Sequence, residues 1–211
     1  MPFSTWLLFC GAALLASFSP GPGVLLAISN SVAVGARQTV FSSLGNAAGL
    51  FIVSGAATAG MGALLAVSAS AFLAVKLIGA AYLVYLGIKQ WRSAPLRFDA
   101  SATSAHPPHT AGRLFLQGLG VAVTNPKAIL FFTALFPQFL TPGESLLRQT
   151  VLLTATFTVL ALMSHAAYVG LFRTLRRFLT EARHLRLFNR LSGGLFVLLG
   201  LSLLKLRNRA A

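Results

Sequence analysis

Apolar residues gather into six long stretches along the chain, separated by shorter runs of polar and basic ones. Their bounds are about Phe3–Val34, Val40–Leu65, Ala71–Ile88, Leu114–Leu140, Thr150–Phe172 and Leu191–Leu204. A helix needs roughly 20 residues to cross ~30 Å of hydrocarbon at 1.5 Å per residue. The pattern therefore predicts an all-α integral membrane protein with six transmembrane helices. The last stretch is short, and Lys205 and Arg207 extend its reach by snorkelling to the interface. The opening "MPFSTW" has no positive n-region, and no small-x-small cleavage site ends the first stretch, so that stretch is expected to stay as a span.

Two stretches carry helix breakers where a span should be continuous. The first contains "SFSPGPGV" (Ser17–Val24) and the fourth "VAVTNPKAILFF" (Val121–Phe132). Proline removes a backbone donor and glycine weakens a helix. In hydrocarbon the carbonyl left behind finds no water, at a cost of several kcal/mol. Both stretches are also over-long, since as single helices they would measure about 48 Å and about 40 Å. A break with a change of direction accommodates the excess.

Between the halves lies "APLRFDASATSAHPPHTAG" (Ala94–Gly112), which has no periodicity and reads as a flexible linker. Its "HPPH" (His106–His109) lacks carboxylate or thiol partners and reads as solvated chain, so no metal site and no cofactor is expected. The expected units are residues 1–93, the linker 94–112, and residues 113–211, together one membrane domain. Three spans on each side of the linker force the halves to face opposite ways across the bilayer, the arithmetic of an inverted repeat. Aligning Pro20 with Pro126 puts Ser19 opposite Asn125 and makes the first and fourth helices the broken pair.

The breaks have a chemistry. Pro20, Pro22 and Pro126 cannot donate to the carbonyls of Ala16, Phe18 and Ala122, which predicts three free acceptors at membrane depth. Each half-helix that follows starts with unpaired N–H groups and a positive dipole end. Asn125 suits an N-cap and Pro126 a first helical position. A cargo bearing a carboxylate and an ammonium matches these donors and acceptors. The expected binding residues are Ser19, Pro20, Gly21, Pro22, Gly23, Asn125, Pro126 and Lys127. The plainer alternative is a pair of kinks repaired by neighbouring side chains.

Composition agrees with the membrane class. Of 211 residues, 56% are hydrophobic and 9% charged, with a mean hydropathy of +0.78, whereas soluble domains carry nearer a quarter charged. Cys10 is the only cysteine, which excludes an intrachain disulfide and a C-x-x-C redox pair. The net charge of +14 is explained by loop sorting rather than by nucleic acid. The first, third and fifth loops hold eleven basic residues (Arg37, Lys89, Arg92, Arg97, Arg113, Arg173, Arg176, Arg177, Arg183, Arg186 and Arg190), against Arg148, Lys205, Arg207 and Arg209 on the other side. The positive-inside rule then places the odd loops in the cytoplasm of a bacterial cell and both termini in the periplasm. "RTLRRFLTEARHLRLFNR" (Arg173–Arg190) is either an amphipathic segment facing anionic lipid or a plain connector. Self-association stays open.

Three blocks carry a family resemblance that runs nearly end to end. "SPGPGVLLAISNSVAVGARQTVFSSLGNAAG" (Ser19–Gly49), "LIGAAYLVYLGIKQWR" (Leu77–Arg92) and "NPKAILFFTALFPQFL" (Asn125–Leu140) resemble the LysE/RhtB superfamily of amino-acid exporters, with the RhtB branch nearest. The resemblance implies a secondary transporter of the inner membrane. It would export homoserine, threonine or related neutral amino acids or lactones, driven by the proton gradient without ATP. One departure matters: many such chains carry Asn directly after "PGP", and this one has Gly23.

Polar groups inside the spans are functional candidates by position. Lys127 can bind a carboxylate or lose its proton, or its stem can snorkel. Lys76 is closer to a span edge. His165 and Tyr168 form a candidate proton relay or a packed pair. Asn46, between Gly45 and Gly49 of a close-packing face, reads as an interhelical hydrogen bond. The three acids, Asp99, Glu144 and Glu181, all fall in loops, so no embedded carboxylate is available to a cation. An intramembrane enzyme is disfavoured because Ser164 and His165 are helix neighbours pointing apart, with no acid to orient the histidine. A passive channel or cation exporter is the remaining transport alternative, and a basic interior argues against it.

Overall fold

Proline and glycine end the helices where the sequence places them. In the computed structural model, which describes residues 1–19, 21–67, 77–78, 81, 84–85, 87–92, 110–141, 143–180 and scattered helical positions between 183 and 201, every regular element is helical. Helix α1 (Phe3–Phe18) stops at the first proline motif and α2 (Pro22–Val34) restarts after it, bent by 49°. Gly35, at φ +87, turns the chain in one residue into α3 (Ala36–Val67). Glycine takes that left-handed backbone without the Cβ clash other residues suffer.

After the linker, whose residues up to His109 lie outside the described set, α4 (Ala111–Thr124) is capped by the Thr110 side chain and ends at Asn125. Helix α5 (Pro126–Leu130) follows at a 50° bend. The half-helix expected there is less regular than foreseen, because α5 widens into a π turn (Phe131–Leu135) and then tightens into a 3-10 turn (Phe136–Phe139). Pro137 lies in that last turn and has no N–H for an α-type bond to Thr133, so the winding changes there. Helix α6 (Leu146–Thr180) is the longest at 35 residues, about 52 Å. The stretch Arg173–Arg190 therefore begins as a continuation of α6 rather than as a separate segment.

By length and composition, α3 and α6 can each cross a membrane, and each bent pair is long and apolar enough to be a broken span or a re-entrant loop. The expected third and sixth spans lie mostly outside the described residues. Their Gly87 and Gly193 are described, and a Cβ on Gly87 would come within 2.6 Å of the Gly193 carbonyl, so those backbones touch.

Packing follows small residues and aromatics. Helices α3 and α4 run side by side with Gly45 against the Phe115 backbone and Gly118 against the Ser42 carbonyl, contacts with no room for a Cβ. Phe9, buried in α1, meets Phe131, Phe136 and Phe139 edge-on, with ring centroids 5.9, 6.0 and 5.2 Å away. Beyond this aromatic plug the Met1 ammonium pairs with Glu144, so the start of α1 and the loop before α6 share one end of the molecule. Helix α6 runs parallel to α1 and antiparallel to α3. Its contacts with α3 include three polar pairs, Ser43 with His165, Ser54 with Thr154, and Thr58 with Thr150.

A methyl at position 118 has to displace backbone. Gly118→Ala is expected to cost about 1–3 kcal/mol, read as a lower melting temperature of the detergent-solubilised chain. Gly120→Ala, with nothing within 4 Å of its Cβ position, should stay within about 0.5 kcal/mol of the parent.

Candidate functional site

The first break leaves successive carbonyls without helical donors, and side chains from the second half of the chain take them. Ser164 Oγ donates to the Ser17 carbonyl at 2.8 Å, Tyr168 Oη to that of Phe18 at 2.6 Å, and Lys127 Nζ to that of Ser19 at 2.8 Å. This corrects the expectation of three free acceptors. Phe18 already has a donor, and the Ala122 carbonyl accepts from the Asn125 N–H at 3.2 Å, because the chain turns tightly there instead of opening.

The second break is built as its sequence predicts. Asn125 takes extended backbone, φ −72 and ψ 109, and its Oδ1 accepts from the Lys127 N–H at 3.0 Å. Pro126 occupies the first helical position, where no donor is needed. This cap orients Lys127 so that its stem crosses to the first break, over Gly21. A Cβ on Gly21 would lie 3.7 Å from Lys127 Cδ, ordinary contact distance.

A cavity of about 50 Å³ lies where the two breaks meet, and Ser19, Gly21, Gly23, Asn46, Asn125, Lys127 and His165 line it together. By the measure in which one water needs ~10–15 Å³, it holds a few waters. Phe131 and Phe157, centroids 4.5 Å apart, wall it toward the aromatic plug. Pro22 and Pro126 shape the lining by starting α2 and α5. Pro20 and Lys76 lie outside the described residues, as does "HPPH".

Position 23 is tight. A Cβ there would sit 3.1 Å from Asn46 Oδ1 and 3.3 Å from His165 Nε2, so the space an asparagine would need is held by those two side chains. Asn46 was expected as an interhelical hydrogen bond. Its side chain instead faces this cavity, while Gly45 makes the close approach to α4. His165 Nδ1 pairs with Ser43 Oγ at 3.1 Å, and Tyr168 serves the Phe18 carbonyl, so the two have separate partners. Ser164 and His165 reach different helices and form no nucleophile–base couple.

Sequence reasoning missed Ser164 as a structural donor and Ser43 as the partner of His165. A signal for Ser164 exists. It precedes Tyr168 by four residues, so both hydroxyls lie on one face of α6, a turn apart.

A protein-family model described as "LysE type translocator" matches residues 14–207. The homoserine/homoserine lactone efflux protein of Salmonella typhimurium is 34% identical over 211 residues, covering 99% of this chain and 100% of its own. The leucine efflux protein of Enterobacter sp. (strain 638) is 31% identical over 196 residues, 91% of this chain and 90% of its own. An uncharacterized membrane protein of Vibrio cholerae is 35% identical over 203 residues, 96% of this chain and 98% of its own. No solved structure matches.

The carbonyls of the first break depend on donors that can be removed singly. Tyr168→Phe is expected to leave the Phe18 carbonyl unpaired at a cost of about 1–3 kcal/mol, measured by thermal unfolding in detergent. Ser164→Ala should behave alike through Ser17.

Proposed function

This chain belongs to the LysE type translocator family, and from that premise we propose that it exports small neutral amino acids or their derivatives, of the homoserine and threonine kind. Export is driven by the proton gradient across the bacterial inner membrane. The observation that carries this reading is the meeting of both helix breaks at one cavity. There the cargo's ammonium takes the Ser19 carbonyl. Its carboxylate faces the start of α2 at Gly23 and Val24, the positive end of that helix, and the amide nitrogen of Asn125, all in cavity-lining residues.

The transport cycle is read from a 3+3 inverted repeat, with units 1–93 and 113–211 joined by the linker 94–112. A shift of 106 residues carries Pro20 to Pro126 and Gly87 to Gly193, and the contact between those two glycines supports a pseudo-twofold axis between equivalent positions. The parallel pairs α1 with α6 and α4 with α3 support the same arrangement. Each half lends its broken helix to the other's unbroken one. Alternating access is then a rocking of the halves about a fixed central site.

Cation export fits less well. A cargo with a second positive charge would enter low dielectric at a cavity that no carboxylate lines among the described residues, a penalty of several kcal/mol. Counterflow in proteoliposomes containing the full chain should exchange labelled homoserine or threonine at least tenfold faster than lysine; selective lysine exchange defeats the reading. Asn125→Ala removes the α5 cap, worth ~1 kcal/mol, and should reduce export at least tenfold at unchanged membrane level. Parental export by that variant would reduce the break to a structural kink.

The orientation is testable separately. Both termini are placed in the periplasm, so a C-terminal alkaline phosphatase fusion should be active and a C-terminal green fluorescent protein fusion dark. The opposite pair of results reverses the orientation.

A further inference from the structure

We propose that Lys127 is the coupling group of the transporter: its ammonium holds the Ser19 carbonyl that the cargo's ammonium must take, so charged lysine and bound cargo exclude each other. This rests on the export reading above and adds to it the residue that exchanges cargo for a proton.

The three carbonyls at the first break are not held alike. Those of Ser17 and Phe18 are held by hydroxyls of α6, both on short or rigid side chains. That of Ser19 is held at 2.8 Å by an ammonium on a flexible four-carbon stem, lying over a glycine and opening on the cavity. Of the three donors, only Lys127 has the chemistry of the cargo's own amino group. It is also the one that can swing away without unpacking a helix.

The surroundings give a second cation nothing to pair with. From α6 the cavity receives His165, whose Nδ1 is engaged by Ser43, while Tyr168 serves the Phe18 carbonyl beside it. Neutral amides enter from α3 and from the second break, through Asn46 and Asn125. Helix α2 presents backbone. Among the described residues no carboxylate lines the cavity. Glu144 is paired with the Met1 ammonium at one end of the molecule, and Asp99 and Glu181 lie outside the described residues. The cargo brings one carboxylate for its own ammonium, and a charged Lys127 would be left over.

Loading therefore proceeds with loss of one proton from Nζ to water on the side from which the cargo came. After the cargo leaves on the opposite side, Nζ takes a proton from that side and returns to the Ser19 carbonyl. Apart from that one N–H bond, broken on loading and re-formed after release, no covalent bond changes. One proton moves inward for each cargo molecule moved outward, and His165 need not titrate.

Calorimetry of homoserine binding to the detergent-solubilised full chain, in buffers of different ionisation enthalpy, tests this. At pH 6 the parent should release about one proton per homoserine, and its Kd should fall as pH rises until Lys127 is neutral in the free protein. Lys127→Met should release none, show no pH dependence, and bind more tightly than the parent at pH 6, because the competing cation is gone. Lys127→Arg keeps a permanent cation; it should release none and bind at least tenfold more weakly than the parent at pH 8. The proposal is overturned if Lys127→Met still releases a proton or binds more weakly at pH 6, or if Lys127→Arg binds like the parent. A parent that binds homoserine without releasing a proton also overturns it and leaves the export reading standing. A parent that binds none of homoserine, threonine or leucine removes both.

Discussion

A broken helix inside a membrane must have its open carbonyls met by something other than water, and the rest of this structure is arranged around that need. Three consecutive residues at the first break, Ser17, Phe18 and Ser19, each find a donor in the second half of the chain. In hydrocarbon each unmet acceptor would cost several kcal/mol, so these bonds fix the first break against both α6 and the second break. The second break is in turn fixed by its own cap, Asn125 on the Lys127 N–H. Neither break is complete without the other.

Around this centre the packing divides into two kinds. Helices α3 and α4 meet through glycines, backbone against backbone, which leaves little freedom to slide. Helices α3 and α6 pair hydroxyl and imidazole groups beside apolar side chains that both contribute to one buried cluster. The aromatic plug of Phe9 with the phenylalanines of residues 131–139 lies between the cavity and the end marked by Met1 and Glu144.

Kinship to efflux proteins and the geometry of the cavity bear on different questions. The family match over residues 14–207 makes the chain a translocator. It does not say which groups meet the cargo. That question falls to the cavity, where a lysine holds a backbone acceptor that an amino acid would also seek. In the proposed reading that one acceptor serves the lysine ammonium and the cargo ammonium in turn.

Much of the fold was legible in the sequence because its causes are local. Apolar runs of membrane length, the proline and glycine motifs that interrupt them, the Asn-Pro start of α5 and the close-packing glycines at positions 45 and 49 act through the chain's own backbone or its nearest turn. Hence the spans through α6, the break positions and the Asn125 cap could be stated in advance. The irregular winding after Leu130 could not, since it depends on how Pro137 and its neighbouring aromatics settle against Phe9. Nor could the fate of the freed carbonyls. Their donors lie 147, 150 and 108 residues away along the chain, and no local rule distinguishes a carbonyl left for a ligand from one met by a distant side chain. The sequence determined that acceptors would be exposed at the first break; the tertiary structure alone decided that Ser164, Tyr168 and Lys127 would meet them, because only folding brings the two halves within hydrogen-bonding distance.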